Sequence, residues 1–118
     1  MKKLLVLFFV IIPFFCLTAC NGNLTKGGIV SQTDNGMAQL DIMPQKLFEY
    51  ANIGDMVVVT VGDFKAEMPL VDEAIAEEGK LQLFYDSNEH SLSICAYNQN
   101  FCKTYNVSPD AKVKITKK

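Results

Sequence analysis

The chain has 118 residues, which is enough for one domain with a single modest hydrophobic core. Its 11 basic and 13 acidic residues give a formal net charge of -2, and this slightly acidic balance argues against a nucleic-acid-binding protein. Apolar residues make up 49% of the chain, which excludes an intrinsically disordered protein.

The N-terminal segment is typical of a secretory signal peptide. Lys2 and Lys3 precede an almost uninterrupted apolar run over residues 4–15, which is too short to span a bilayer comfortably. The run ends in Leu-Thr-Ala-Cys at residues 17–20, and this resembles the bacterial lipobox. We therefore expect Cys20 to receive diacylglycerol and palmitate and to become the N-terminus of a mature lipoprotein. The alternative is an ordinary signal peptide, or an uncleaved anchor, with a chance cysteine.

Cleavage before Cys20 would divide the chain into three parts. These are a signal peptide (1–19), a lipidated cysteine with a flexible polar tether (20–27) and a domain (28–118). Because the two N-terminal lysines are lost, the net charge of the mature chain becomes -4. The anchor predicts a location in the bacterial cell envelope. In a Gram-negative cell this is the periplasmic face of the outer membrane, since no acidic residue follows the cysteine directly. In a Gram-positive cell it is the outer face of the cell membrane.

The domain is predicted to begin with a β-hairpin. Two candidate strand segments span residues 29–33 and 37–42. Between them lies Asp34-Asn35-Gly36, and Asn-Gly is a strong signal for a tight turn with positive φ. A short helix should follow over residues 44–52, because Pro44 stands near its start and apolar residues recur at helical spacing. We expect this helix to plug one end of a barrel.

The middle of the domain contains the most apolar segment. Residues 56–61 are too apolar for a strand with one wetted face, so we expect them to lie centrally or against a second subunit. A further strand over residues 64–68 should end at Pro69, which has no amide hydrogen to donate to a ladder. The acidic residues of 71–78 predict a solvated loop or short helix, since no loop spacing typical of a metal site accompanies them.

A second hairpin is predicted within residues 79–107. Alternation over 81–86 and 92–97, on either side of a polar turn, indicates two strands with one buried face each, followed by a short helical turn. His90, the only histidine of the chain, lies in that turn. We expect it to be a solvated turn residue and not a catalytic base.

Cys95 and Cys102 are the thiols that remain once Cys20 is lipidated and the signal peptide is removed. An exported domain permits a disulfide between them, provided that the chain turns within 96–101 to bring the two α-carbons within about 7 Å. Two separate small buried residues are the other alternative. Their spacing fits neither a redox motif nor a zinc site, so we expect no metal and no cofactor.

The order of these segments resembles the C-terminal domain of the SAM hydroxide adenosyltransferase family, which is related to the SAM-dependent fluorinase and chlorinase. In that family G-x-x, an apolar run and N-S-x-G-x-L-x-I-A precede N-A-A and then L-G-L. Here the corresponding places hold Gly79, Asp86-Ser87, Leu92-Ser93-Ile94-Cys95, Asn100-Phe101-Cys102 and Tyr105-Asn106-Val107. The resemblance covers roughly residues 28–115. It implies a mainly β fold, a small antiparallel β-barrel with one or two short helices.

The resemblance also implies where a ligand would bind. Ser87 stands at the family's serine that touches the methionine end of SAM, and Asn100 at the asparagine that leads into the adenine-side turn. Asn98 lies where related enzymes often have arginine, whose guanidinium an amide replaces only in part. The alternative is that Ser87 and Asn100 are turn and cap residues that satisfy local backbone groups.

These observations support three hypotheses on function. The first is a lipid-anchored, non-enzymatic barrel that works by contact with a protein partner or with copies of itself, since the family's catalytic N-terminal domain has no counterpart in this sequence. Its expected contact surface is an exposed apolar patch of Val57, Val59, Phe84 and Phe101. The second is a small-ligand receptor for a nucleoside or an SAM-like compound, which would use the three polar residues above. The third is an accessory subunit of a split enzyme.

Overall fold

Seven β-strands close into a barrel in the computed structural model, which describes residues 24–32 and 37–118. The strands are β1 (Leu24–Gln32), β2 (Met37–Leu40), β3 (Met56–Val61), β4 (Phe64–Val71), β5 (Leu81–Asp86), β6 (Ser91–Ala96) and β7 (Lys112–Lys117). Two short helices, α1 (Pro44–Phe48) and α2 (Phe101–Thr104), join them. The predicted mainly β barrel with short helices is therefore confirmed.

The strands follow the order β1-β2-β6-β5-β4-β3-β7 around the barrel, and β7 returns to β1. Neighbouring strands are antiparallel except β4 and β5, which pair in parallel through Leu70 opposite Leu83. Sequence periodicity did not predict this parallel pair. It requires the segment after β4 to travel back along the barrel before β5 can begin, because parallel neighbours need a crossover connection.

Alternation along the strands decides which side chains fill the barrel. In the β5–β6 hairpin, Leu83 lies opposite Ile94 and both are fully buried, as the sequence predicted. In β3, Val57, Val59 and Val61 point inward and are also fully buried. Small barrels are filled by side chains in this way. The interior is formed by apolar residues from every strand together with both helices.

The first helix closes the end of the barrel at which β1 begins, here called the Leu24 end. Leu47 of α1 is fully buried in the core, and the Phe48 ring meets Tyr85 edge to face at 5.0 Å. Just beyond the helix, the Tyr50 hydroxyl donates to the Ile115 carbonyl at 3.0 Å, and burial raises the pKa of this tyrosine. The expected plug is thus present, and the tyrosine fastens it to the wall of the barrel.

The second helix closes the opposite end, here called the Phe101 end. Phe101 is fully buried and packs against Phe64 and Tyr105, with ring centroids 5.4 and 5.5 Å away. Such offset and edge-to-face contacts are the favoured arrangements of aromatic rings. Both ends of the barrel are therefore covered by side chains.

The segment between β4 and β5 lies over the outer face of β5. Gln82 is fully buried although it points away from the barrel interior. Its side-chain Oε1 accepts the Ile75 amide at 2.6 Å, and its Nε2 donates to the carbonyls of Ile75 and Lys80 at 3.1 and 3.2 Å. The acidic segment is a loop, as predicted, and the buried amide fastens it to the sheet.

β1 begins at Leu24, four residues before the domain start expected at Gly28. β1 and β2 pair antiparallel, as the first predicted hairpin requires, whereas its turn at residues 33–36 lies outside the described residues. The signal peptide and Cys20 lie outside them as well. Within residues 24–32 and 37–118, no helix is long and apolar enough to cross a bilayer.

Candidate functional site

The three candidate ligand residues lie at two different ends of the barrel. Ser87 follows β5 at the Leu24 end, whereas Asn98 and Asn100 follow β6 at the Phe101 end. β6 spans six residues between these positions. At about 3.4 Å per residue it separates the two groups by roughly 17 Å or more. The chain therefore does not bring the serine and the asparagines into one pocket.

Two of these residues lie at a helix cap and in a turn. Asn100 is the N-cap of α2, and its Oδ1 accepts the Lys103 amide at 3.0 Å. Ser87 lies in the exposed β5–β6 turn, where the Asp86 carboxylate accepts the Asn88 amide at 2.9 Å. Asn100 is thus a helix cap and Ser87 a turn residue, which is the alternative to ligand binding given above.

Asn98 connects the turn after β6 to the acidic loop. Its backbone has a φ of 61°, a left-handed conformation that asparagine tolerates better than most residues. Its side-chain amide donates to the Glu78 carboxylate at 3.4 Å, and the neighbouring Gly79 amide donates to the Tyr97 carbonyl at 2.9 Å. The contacts of Asn98 and its neighbours thus hold the loop to the end of β6.

His90 is an exposed turn residue with a φ of 52°, as the sequence predicted. Its Nδ1 lies 3.3 Å from the Tyr85 hydroxyl. Among residues 24–32 and 37–118, no group of three or more histidine, cysteine, aspartate or glutamate side chains is arranged to hold a metal ion.

Cys95 and Cys102 are buried free thiols, and burial raises the pKa of both. Cys102 packs into the hydrophobic core. Cys95 lies between Ile94 and Ala96, which face that core, so its side chain points to the other face of β6. The structure thus shows two separate small buried residues and no disulfide between them. The reason is that Cys102 packs into the core, whereas the Cys95 side chain lies on the other face of β6.

The exposed apolar patch expected from the sequence is wrong for three of its four members. Val57, Val59 and Phe101 are fully buried, because the two valines point into the barrel and the phenylalanine plugs its end. Phe84 is half-buried on the outer face of β5, opposite Val71 of β4. Of the expected patch, only this phenylalanine lies on the outside.

A shallow groove of about 530 Å³ crosses the outer face of four neighbouring strands, β1, β7, β3 and β4. Its lining residues are Leu24, Val58, Thr60, Lys65, Ala66, Glu67, Lys114 and Thr116. The sequence did not predict this surface, because the continuous apolar run of β3 does not reveal which of its residues face outward.

The comparisons with known proteins support the fold alone. No family model and no curated protein matches the sequence. The structure is similar to the crystal structure of an uncharacterized conserved protein from Thermotoga maritima, with a TM-score of 0.66 and 18% identity over 76% of this chain. The match covers 35% of that chain, so the present chain spans about a third of its length. The similar protein thus combines a barrel of this fold with further polypeptide.

Proposed function

We propose that this protein is a lipid-anchored, non-enzymatic barrel domain of the bacterial cell envelope, which acts by contact with another protein or with copies of itself. The observation that carries the proposal is the filled interior. Apolar side chains occupy the barrel, and α1 and α2 cover its two ends. Ligand pockets in proteins enclose most of a small ligand, whereas here the surface available for recognition is the outside of the barrel.

The lipobox-like sequence ending at Cys20 supports the anchored state. The described strand β1 begins at Leu24, so the mature chain would enter the barrel almost directly after the acylated cysteine. An anchor this close to the domain would restrict it to the membrane surface. Contact with other envelope proteins is favoured by such confinement, because tethering raises the effective concentration of the partners.

Phe84 is the residue on which we place the contact. Its ring is half-buried on the outer face of β5, next to Val71 on the neighbouring strand, which is also half-buried. The exposed carboxylates of Asp72 and Glu73 follow Val71 directly along the chain. An aromatic residue with a polar rim is the arrangement that protein interfaces favour.

The relation to the C-terminal domain of the SAM hydroxide adenosyltransferase family is part of the proposal. The order of the sequence segments supports it. In that family the C-terminal domain contacts the neighbouring subunit of a trimer. A barrel of the same descent would retain a surface suited to protein contact.

Site-specific photo-cross-linking in the source bacterium tests the contact. p-Benzoylphenylalanine replaces Phe84 in the full chain, and as a control it replaces Lys103, which is exposed on α2. We expect an ultraviolet-dependent adduct at the first position, containing either a second copy or a different envelope protein, and no comparable adduct at the control position. Equal adduct yields at the two positions, or none at Phe84, would overturn the proposed contact.

A further inference from the structure

Exposed lysines are concentrated on one side of the barrel. Five of them lie on the outside of β1, β4 and β7 or directly after β7: Lys26, Lys65, Lys112, Lys114 and Lys118. We call the outer surface of β1, β7, β3 and β4 the lysine face. The acidic loop, with exposed Asp72, Glu73, Glu77 and Glu78, lies over β5, the strand next to β4. One side of a domain with a net negative charge thus carries a cluster of exposed lysines.

The strand register places like charges next to each other on the lysine face. Lys26 lies directly opposite Lys114, which in turn lies opposite Thr60, and Thr60 lies opposite Lys65. Like charges directly opposite each other on neighbouring strands destabilise a sheet. This pairing of lysines therefore costs stability in the isolated domain. An anionic surface bound to this side of the barrel would offset the repulsion.

Carboxylates also lie on this surface and at its edge: Asp55 is 3.5 Å from the Lys117 ammonium, and Glu49 lines a concavity with Lys26. Glu67 lies within the lysine face and is already paired with Lys118 at 3.1 Å. Asp41 and Asp110 lie at its edge, where they share a shallow concavity with Lys26 and Lys112. The centre of the face, around Lys114 and Lys65, therefore carries positive charge next to the groove.

The same face presents apolar side chains at the Leu24 end. Met56 is 40% exposed at the start of β3, and Val58 follows it on the same outward side. Leu24 and Val58 both line the groove, and Thr116 separates them in the cross-strand row. A basic surface with an apolar strip is suited to the interface of an anionic bilayer.

The position of the anchor selects the membrane as the partner of this face. Cys20 precedes Leu24 by four residues, a reach of at most about 14 Å at 3.6 Å per residue. Since Leu24 itself belongs to the lysine face, the acylated cysteine would hold this side of the barrel close to the headgroups. We infer that the lysine face lies against the bilayer, with its lysines on anionic phospholipid headgroups and Met56 and Val58 in the interface. This inference rests on the proposed lipid anchor, and it leaves Phe84, on the neighbouring strand β5, outside the lysine face.

Tryptophan fluorescence tests this orientation, because the chain contains no tryptophan. Val58→Trp places a reporter on the lysine face, and Gln39→Trp places the matched reporter on the exposed side of β2. Each mature lipidated variant is reconstituted into vesicles of phosphatidylglycerol and phosphatidylcholine with brominated acyl chains. We expect the bromines to quench most of the emission at position 58 and little of it at position 39. Equal quenching at the two positions, or none at either, would overturn the orientation.

A charge-matched pair of double variants, each with Val58→Trp as the reporter, tests the role of the lysines. Lys65 and Lys114 are replaced by glutamine in one variant, and Lys80 and Lys103, which lie outside the lysine face, in the other. We expect quenching to fall in the first variant and to stay at the parent level in the second. Equal falls would show that net charge alone is responsible, and would contradict the assignment of this face. An acidic protein as the true occupant would appear as no quenching by vesicles.

Mass spectrometry of the same samples separates this inference from the anchor. A sample in which Cys20 is unmodified contradicts the lipid anchor and, with it, the inference. A sample with acylated Cys20 and equal quenching at positions 58 and 39 contradicts the orientation alone.

Discussion

Gln82 shows how one residue can position a whole segment. It is a polar side chain in a strand, fully buried on the outside of the barrel, and it satisfies three backbone groups of the loop that covers it. Buried polar groups are hydrogen-bonded in nearly all native proteins. The sequence shows a glutamine between two leucines but not which segment covers it, because that partner lies in a loop without periodicity.

Gln82→Ala should lower the free energy of unfolding by about 1–3 kcal/mol, because it leaves backbone groups of Ile75 and Lys80 without their partner. Gln39→Ala, at an exposed position of β2, should change it by less than about 0.5 kcal/mol. Urea unfolding of both variants measures the difference. Equal stabilities would show that the buried amide does not hold the loop.

A second residue-scale prediction concerns Asp55. Its carboxylate accepts the Asn52 amide at 2.8 Å and lies 3.5 Å from the Lys117 ammonium. The amide, and to a smaller extent the ammonium, lower the pKa of Asp55. A lowered folded-state pKa adds stability above the pKa of the unfolded chain, about 4, and that stability is lost as the pH falls through the folded value.

Asp55→Asn should therefore be less stable than the parent protein at neutral pH, and the gap should narrow as the pH falls from about 5 towards 2. Urea unfolding at a series of pH values measures the gap. Asp63→Asn, in the exposed β3–β4 turn, serves as the control. A gap that does not change with pH would contradict an electrostatic origin.

At the scale of elements, the junction between β2 and α1 depends on one close approach. Ile42 is buried and lies against Gly27 of β1. A β-carbon at Gly27 would lie 2.4 Å from the Ile42 side chain and 2.6 Å from the Asp41 carboxylate. The glycine therefore allows the chain after β2 to cross closely over β1 on its way to the plug.

Gly27→Ala should destabilise the protein by about 1–3 kcal/mol, because the neighbouring side chains must move. Gly28→Ala is the matched control, since its β-carbon would approach nothing nearer than 3.6 Å, and it should be tolerated within about 0.5 kcal/mol. Thermal unfolding of the two variants measures the difference in stability. Equal shifts in melting temperature would contradict the close approach.

The elements also show what periodicity can predict. Alternation predicted the β5–β6 hairpin and its buried face, and the spacing after Pro44 predicted α1. Val57 and Val59 were expected to be exposed and are buried. A continuous apolar run does not reveal which of its residues face inward. The parallel pairing of β4 with β5 was also missed, since contacts between distant segments leave no local pattern.

At the scale of the whole molecule, the resemblance predicted a barrel, and the structure has one. It also supplied Ser87, Asn98 and Asn100 as a ligand set, which the barrel separates. The length of β6 already carried this information, because a six-residue strand between the serine and the asparagines keeps them at opposite ends. The position of the lysine face, in contrast, required the strand order, which the sequence does not contain.

The small-ligand hypothesis can be tested on the whole molecule by isothermal titration with adenosine, SAM and methionine. We expect no heat of binding at millimolar ligand, because the interior is filled and the candidate residues are far apart. Saturable heat with any of the three would revive the hypothesis. Its loss in Asn98→Ala, with Gln39→Ala as the control, would place the site at the Phe101 end.

The central claim is that a filled barrel is held at the membrane by an acylated Cys20 and acts through its outer surface. Intact-mass spectrometry of the protein purified from cell envelopes tests the anchor most directly. The predicted species begins at Cys20 and carries diacylglycerol with or without a further acyl chain, and Cys20→Ser should leave the precursor uncleaved and unmodified. A mature chain that begins elsewhere, or one with a free Cys20 thiol, would contradict the account.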